Sequence, residues 1–381
     1  MFSFSRENTS LLAKWWRNVD KQILFLFVFL FLLGLFFSFS STSPVVAEKL
    51  NKQTYFFFVK HLIFVSISLF LIVLISIQDK EKLVKFLTYL FIFSLILLFL
   101  TLVVGTEVKG AKRWMGLDPF PRFQPVELVK PLFIIFVAKI IISNDKSNIY
   151  RRYLISFFVL LFIVLILINQ PDLGQTLLLV SAWITMIFVS GFNMVALLIL
   201  GTVFLGVISI LIFFLPEKFG YVSLRIKTFI DPKSGDNFQS QKALEAIKQG
   251  GLTGQGMGEG ILKDKVPDAH TDYIVAVISE EFGAIFVLFI LIIFLFIGYR
   301  VLNKILLEKN EFIKLSLLGL IALLIIQTFI HIGVNIRLLP TTGMTLPFLS
   351  YGGSSLVGSA FIAGIILNFT KKDSGKYFKD E

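Results

Sequence analysis

The feature that most constrains this chain is a series of long apolar segments separated by short polar ones. A helix of about 17–25 apolar residues can cross a hydrocarbon layer about 30 Å thick. The sequence therefore predicts an all-α polytopic membrane protein with about ten transmembrane helices. These segments lie near residues 22–42, 55–77, 84–105, 126–143, 153–169, 175–190, 193–215, 273–298, 313–336 and 353–370.

Composition agrees with this class of protein and limits the chemistry available to it. Hydrophobic residues make up 56% of the 381 residues, compared with roughly 45–50% in soluble domains. The chain contains no Cys, which excludes disulfides, thiolate nucleophiles and Cys-ligated metals. Any catalytic site must therefore use oxygen, nitrogen and charge.

The distribution of cations predicts the orientation in the membrane. The formal net charge is +11, and the cations lie mostly in short segments between apolar runs, so we interpret them as positive-inside loops near acidic lipid rather than as a nucleic-acid surface. The first apolar run is too long for a signal-peptide core, and we expect it to be retained as a helix. With ten spans, both termini are predicted to be cytoplasmic.

The chain is predicted to have three parts. These are a cytoplasmic tail at 1–21, a transmembrane domain at 22–370 and a cytoplasmic tail at 371–381. The transmembrane domain includes a large extracytoplasmic loop at 216–272, between the seventh and eighth helices.

The long outer loop is predicted to be ordered. It contains LEAIKQGG (244–251), which is helix-like, followed by GGLTGQGMGEG (250–260). These glycines lack the preceding strand, the Lys-Ser/Thr ending and the following long helix of phosphate-binding loops. We interpret the stretch as a tight loop that uses the backbone freedom of Gly.

A group of charges near the start of the fourth predicted span suggests an anion site. Glu127 and Lys130 are three residues apart, so they share a helical face and can form an ion pair. Such a pair can simply neutralise two membrane charges, but cations on the predicted outer side run against the positive-inside tendency and call for an anion. A diphosphate or an anionic lipid headgroup fits, because Arg can hold phosphate oxygens in a bidentate fork. The outer cations are Lys109, Lys112, Arg113 and Arg122.

Asp172, in NQPDLGQ, has two possible roles. It either caps a helix or orders its loop, or it contacts substrate.

The histidines do not indicate a metal site. His61 and His331 are expected to be interior histidines whose ring nitrogens are hydrogen-bonded. With three His, no Cys and no HExxH spacing, a dedicated transition-metal site is not expected. A hard divalent ion, Mg²⁺ or Mn²⁺, held by carboxylates and substrate phosphates remains an option.

Carboxylates also occur where the outer loop becomes the eighth span. Asp268 and Asp272 lie on either side of His270 in KVPDAHTDYIVAV. A partly desolvated carboxylate there can act as a general base, or Thr271 or Asp272 can cap the helix. Glu280 and Glu281 lie more than two turns deeper, and we interpret them as structural groups that pair within the bundle.

These motifs, in this order over nearly the whole chain, strongly resemble the SEDS (FtsW/RodA) family of bacterial cell-wall polymerases. The likeness is closer to the division members than to the elongation members. Val126 departs from the usual Ser of the family, and Tyr273 from the usual Phe. The motifs are GAKRW (110–114), RFQPVELVK (122–130), QPDLG (170–174), the segment 231–260, VPDAHTDYIVAVISEEFG (266–283) and LPTTGMTLPFLSYGGSS (339–355).

The resemblance implies a ten-span peptidoglycan glycosyltransferase that polymerises lipid II at the outer face of the inner membrane, at the division septum. It also implies a class B penicillin-binding transpeptidase and other divisome membrane proteins as partners. Asp272 matches the essential acid of the family, with His270 beside it. Arg113, Arg122, Glu127 and Lys130 match charged positions of its outward cavity.

An inverting transfer from a diphosphate donor needs a base opposite the leaving group. Asp272 is the expected base, and the growing charge on the diphosphate is expected to be met by cations or a divalent ion. No cofactor is required with certainty. The alternatives are an elongation-type polymerase, a flippase that moves lipid II, since broken helices and intramembrane charges also suit transport, and a non-catalytic scaffold.

Overall fold

The computed structural model describes residues 10–40, 55–108, 111–116, 122–143, 148–214, 216–231, 237–262 and 265–372. Parts of the two predicted tails, the cation Lys109 and residues 232–236 of the outer loop lie outside the described residues. The helices are α1 Leu11–Asn18, α2 Lys21–Ser40, α3 Phe56–Ile77, α4 Lys80–Val104, α5 Pro125–Ile141, α6 Ile149–Asn169, α7 Leu173–Val189, α8 Met194–Phe214, α9 Pro216–Ile230, α10 Phe238–Gly250, α11 Ile274–Leu307, α12 Glu311–Asn335 and α13 Gly353–Thr370.

The prediction of an all-α membrane protein is confirmed. Each of the ten apolar segments coincides with one helix, namely α2 to α8 and α11 to α13. Within the described residues, seven helices are long and apolar enough to cross a membrane, and Leu173–Val189 is a shorter apolar helix. The described β-structure is one small antiparallel hairpin, β1 Thr106–Val108 and β2 Ala111–Trp114, and an isolated antiparallel bridge between Met115 and Phe123.

The structure adds detail to two of the predicted segments. The eighth predicted span, 273–298, is part of the 34-residue helix α11, which runs on through RVLNKILL to Leu307. The loop predicted at 216–272 begins with two helices, α9 and α10, and the LEAIKQGG piece lies at the end of α10 as expected.

The last helix forms the centre of the bundle. About nine-tenths of α13 is buried inside the protein, and it packs mainly against α3 and also against α5 and α12. The segment before it, 337–352, turns back into the bundle. The ring centre of Phe348 in that segment lies 5.2 Å from the ring centre of Phe27 and 5.1 Å from that of Phe31. These contacts anchor the segment to α2.

Candidate functional site

A cavity of 540 Å³ lies at the end of the bundle where α5, α7, α11 and α13 begin. The segment 337–352, β2 and α9 complete its wall. Most of its lining residues are polar, which is unusual in so apolar a chain. They are Ala111, Arg113, Trp114, Arg122, Gln124, Glu127, Gln175, Arg225, Gln239, Asp268, Thr271, Asp272, Tyr273, Val334, Thr341, Gly343, Met344, Thr345, Tyr351, Gly352, Ser354 and Ser355.

Hydrogen bonds hold the segment 337–352 in place as one wall of the cavity. The Ser350 hydroxyl donates to the Thr271 carbonyl oxygen at 2.7 Å and accepts from the Leu346 N–H at 2.9 Å. The Gln327 side chain donates to the Thr345 carbonyl oxygen at 3.0 Å. Irregular backbone inside a membrane protein is tolerated where its polar groups are satisfied or line a cavity.

Asp272 faces the cavity from a tight turn. The N–H groups of Thr271, Asp272 and Tyr273 converge on the Asp268 carbonyl oxygen at 3.0, 3.1 and 3.3 Å, and Asp268 has a φ of 54°. The N-cap of α11 is Tyr273, with no side-chain cap bond. The alternative in which Thr271 or Asp272 caps the helix was therefore wrong, because the turn directs the Asp272 side chain toward Gly343 in the opposite wall instead.

The predicted pair of Glu127 and Lys130 is confirmed. Lys130 Nζ lies 2.8 Å from Glu127 Oε2, and both side chains are buried. Gln175 Nε2 donates to Glu127 Oε1 at 2.8 Å, and Lys130 donates to Gln327 Oε1 at 3.3 Å. Glu127 lines the cavity, whereas Lys130 lies behind it. The pair therefore joins α5 to α7 and α12 under the cavity.

Asp172 has the structural role that was one of its two readings. Its side chain accepts from the Gln175 N–H as the N-cap of α7, and its Oδ2 lies 3.6 Å from Arg113 Nε. Arg113 also donates to the carbonyl oxygens of Gln170 and Pro171. Burial raises the pKa of the Asp172 carboxyl, and the charge of Arg113 opposes this rise. Arg113 thus ties the hairpin to the loop before α7 while forming part of the cavity wall.

Two further arginines line the cavity from other elements. Arg122, which the sequence analysis grouped with the outer cations, is exposed and follows the hairpin. Arg225 on α9 was missed, because it lies in a segment that was interpreted only as loop. Its buried Nη1 atom has no hydrogen-bond partner among the described residues. Burial, and then the charge of Arg113, lower the pKa of the Arg225 guanidinium, but an arginine stays charged in proteins.

The three histidines have different surroundings. His270 is not among the cavity-lining residues; its ring stacks on Phe57 at 5.3 Å and its carbonyl oxygen accepts from the Tyr351 N–H. A substrate contact of His270 stays a prediction. His331 bonds the Met344 carbonyl oxygen through Nδ1 at 2.8 Å. His61 is buried, but neither ring nitrogen has a hydrogen-bond partner among the described residues, so the expectation of a satisfied histidine was wrong there.

Glu280 and Glu281 organise the glycine-rich loop. Glu280 Oε1 accepts from the Leu262 N–H at 2.7 Å, and Glu281 Oε1 accepts from the Gly258 N–H at 3.3 Å. Their backbone carbonyl oxygens accept from the N–H groups of Gln255 and Gly256. As expected, these acids are structural groups: Glu281 accepts from the Ser40 hydroxyl on α2, and both acids also bind backbone donors of the outer loop and fasten it to α11.

The described residues also limit how a metal could be held. Within them, no group of three or more His, Asp or Glu side chains is arranged to hold a metal ion. Asp268 and Asp272 both line the cavity, so two carboxylates could contribute to a hard divalent ion whose other ligands are phosphates and water.

Together these features define a polytopic membrane protein with a polar, arginine-lined cavity at one end of its helix bundle. Residues 21–375 match the family model described as "Cell cycle protein", which covers FtsW, RodA and SpoVE. The chain belongs to this family, and the resemblance found in the sequence is confirmed.

Similar proteins agree over most of the chain. A Caulobacter vibrioides protein described as "Probable peptidoglycan glycosyltransferase FtsW" is 32% identical over 98% of this chain and 95% of its own. A Geobacter sulfurreducens protein with the same description is 36% identical over 74% and 76%. Among solved structures, a chain of a peptidoglycan synthase complex, studied for how it coordinates polymerisation and crosslinking, superposes with a TM-score of 0.75 at 25% identity, covering 92% of this chain and 97% of that one. The crystal structure of Thermus thermophilus RodA superposes with a TM-score of 0.67 at 26% identity over 93% and 97%.

Proposed function

We propose that this protein is a division-type peptidoglycan glycosyltransferase that polymerises lipid II, with the arginine-lined cavity as its active site. The observation that carries the proposal is the placement of Asp272 in the same cavity as Arg113, Arg122 and Arg225. One acid and several cations in one pocket suit a transfer in which a hydroxyl loses a proton while a diphosphate departs.

Asp272 acts as the general base in this proposal. Its carboxylate removes the proton from the 4-hydroxyl of the acceptor sugar as that oxygen attacks the anomeric carbon of the donor. The donor is α-linked and the product β-1,4-linked, so the attack comes from the face opposite the leaving group and the configuration inverts. The tight turn at Asp268 and the bond from Asn335 Nδ2 to the Asp272 carbonyl oxygen at 3.1 Å fix the backbone that carries this carboxylate.

The arginines stabilise the leaving diphosphate. Arg113 is held by Asp172 and two carbonyl oxygens, so its guanidinium is preorganised. Arg225 brings a buried Nη1 donor that has no partner among the described residues, and Arg122 adds an exposed charge to the cavity wall. A divalent ion would add Lewis-acid charge on the diphosphate, and Asp268 is the residue best placed to help hold it beside Asp272.

The sugar hydroxyls of the substrate also find partners in the cavity wall. Thr345 lines the cavity, and its hydroxyl oxygen is buried without a hydrogen-bond partner among the described residues. Such a group costs free energy unless a ligand or water satisfies it. A disaccharide in this cavity would supply both donors and acceptors.

The proposed setting is the division septum of the bacterial inner membrane, with both termini in the cytoplasm. The structural similarity to a chain of a peptidoglycan synthase complex supports the proposal that this protein acts in a complex with a partner that crosslinks glycan. We propose a class B penicillin-binding transpeptidase for that role, within a larger group of divisome membrane proteins.

The test is polymerisation of fluorescent lipid II by the purified protein, alone and with its transpeptidase. We expect glycan strands that a muramidase degrades. If no strands form under either condition while labelled lipid II crosses between the leaflets of vesicles containing the protein, the protein is a flippase and the proposal is wrong.

A further inference from the structure

A second polar pocket lies at the other end of the bundle from the catalytic cavity. It has a volume of 320 Å³ and lies where α2 begins and where α11 and α13 end. The backbone closes it on one side, because the Lys372 N–H donates to the Asn18 carbonyl oxygen at 3.0 Å. Its lining residues are Arg17, Asn18, Val19, Asp20, Lys21, Gln22, Arg300, Lys304, Thr370 and Lys372.

The pocket has a strong excess of positive charge. Five cations line it, and Asp20 is the one acidic residue among its lining residues in the part of the chain that the structure describes. That carboxylate is already used: it accepts from the N–H groups of Gln22 and Ile23 at the start of α2 and pairs with Arg300 at 3.1 Å and Lys304 at 3.2 Å. Those charges and hydrogen bonds outweigh the effect of burial and lower the pKa of Asp20.

The pocket is also bordered by apolar rings that face away from the protein interior. Phe25 lies four residues after Lys21 on α2, and Phe296 lies four residues before Arg300 on α11, so each ring shares a helical face with a pocket cation. The exposed fractions of Phe25 and Phe296 are 67% and 46%. Both lie on the membrane side of the charges, because α2 and α11 run from the pocket into the bundle.

The short helix α1 adds an interfacial element. Its Trp15 donates to the Ser76 hydroxyl at 2.9 Å, and the Lys21 ammonium lies 5.1 Å from the centre of the Trp16 ring. Leu11 on the same helix is 74% exposed. Trp is enriched where a membrane meets water, so α1 places the pocket at headgroup depth.

We infer that this pocket binds the phosphate headgroup of an anionic phospholipid from the leaflet on this side of the membrane. Basic pockets between transmembrane helices on the cytoplasmic side are suited to such headgroups. The charged pocket fits the phosphate and the bordering phenylalanines fit the acyl chains. This combination favours a lipid over a soluble anion, which would gain nothing from the apolar border.

The test compares lipid retention by the purified full-length protein in native mass spectrometry. Phosphatidylglycerol and phosphatidylcholine serve as the anionic and zwitterionic probes. We expect preferential retention of phosphatidylglycerol by the wild-type protein. Each lost cation should weaken it about fivefold, so Lys21→Gln/Lys372→Gln should weaken it about 25-fold. Lys21→Arg/Lys372→Arg should retain it.

The matched control is Lys82→Gln/Lys309→Gln, which removes two exposed lysines predicted to lie on the same side of the membrane. It should retain phosphatidylglycerol as the wild type does. Equal loss in both double Gln variants would mean that the positive charge acts diffusely and would overturn the inference. So would an absence of lipid preference in the wild type, or displacement of the lipid by an equal concentration of acyl-free glycerophosphoglycerol.

Discussion

Lys130 is the most deeply buried charge beside the cavity, with an exposed fraction of 1%. Its ammonium is compensated by Glu127, and Glu127 is compensated in turn by Lys130 and Gln175. A buried pair adds little net stability, but losing one partner leaves a buried charge without compensation and costs about 3–5 kcal/mol. The pair therefore matters chiefly because neither member can be lost alone.

This reasoning predicts that Lys130→Met destabilises the protein more than Glu127→Gln/Lys130→Met does. The double variant removes both charges and keeps similar volumes, so no charge is left buried. Thermal unfolding of the purified proteins in detergent measures the difference. A double variant less stable than Lys130→Met would show that the pair does more than neutralise two charges.

Arg225 is a cavity residue whose position could not be predicted from the sequence. The pairing of Glu127 with Lys130 was predictable because both lie on one helix at a fixed spacing. Arg225 reaches the cavity from α9 through the tertiary fold, and nothing in the spacing of its neighbours indicates that approach. Gln175 and Gln327 were missed for the same reason, since each lies on a different helix from its partner. Gln175 on α7 binds Glu127 on α5, and Gln327 on α12 binds Lys130 on α5.

We predict that Arg225→Ala lowers the affinity for lipid II about tenfold or more, as expected for losing a hydrogen bond to a charged group. Arg225→Lys should restore only part of it, because an ammonium cannot reproduce the planar fork. Lys227→Ala removes an exposed cation from the same helix and is the control. Unchanged binding by Arg225→Ala would remove Arg225 from the phosphate site.

At the level of elements, the glycine-rich loop and the break in α11 fit against each other. Gly283 interrupts α11 with a φ of 81°, and Gly254 in the loop has a φ of 83°. A Cβ at Gly254 would lie 2.2 Å from the Glu281 carbonyl oxygen. The sequence predicted a tight loop from its glycines, but the surface that it packs against depends on the break at Gly283, which a single Gly in an apolar run does not reveal.

Two glycines of this loop allow a matched comparison. Gly254 and Gly258 share a φ of 83°, but a Cβ at Gly258 would meet no atom within 4 Å. Gly258→Ala should therefore cost only the left-handed backbone strain, about 1–2 kcal/mol. Gly254→Ala should cost clearly more, because the loop must also move away from α11. Equal melting temperatures for the two variants would contradict the close packing of loop and helix.

For the whole molecule, the ten helices followed from apolar length alone, and the one-sided placement of the cations predicted the orientation. The positions of α9 and α10 and the inward turn of 337–352 did not follow, because tertiary contacts decide how such segments fold back.

The orientation in the membrane can be tested directly by cysteine labelling, since the chain has no Cys. Thr253→Cys should react with an impermeant maleimide from outside the cell, and Lys309→Cys only after the membrane is opened. Both residues are exposed, and the reverse pattern would contradict the predicted orientation.

In the proposed mechanism, a carboxylate at the mouth of the helix bundle removes the proton in glycan polymerisation. The most direct measurement is lipid II polymerisation by Asp272→Asn beside the wild type, with lipid II binding and thermal unfolding measured on the same samples. Asn keeps the shape of the side chain but cannot accept the proton. We predict normal folding, lipid II binding close to that of the wild type, and polymerisation lower by about 10²–10⁴-fold, the range for a positioned acid–base group. Polymerisation near the wild-type rate would show that Asp272 is not the general base.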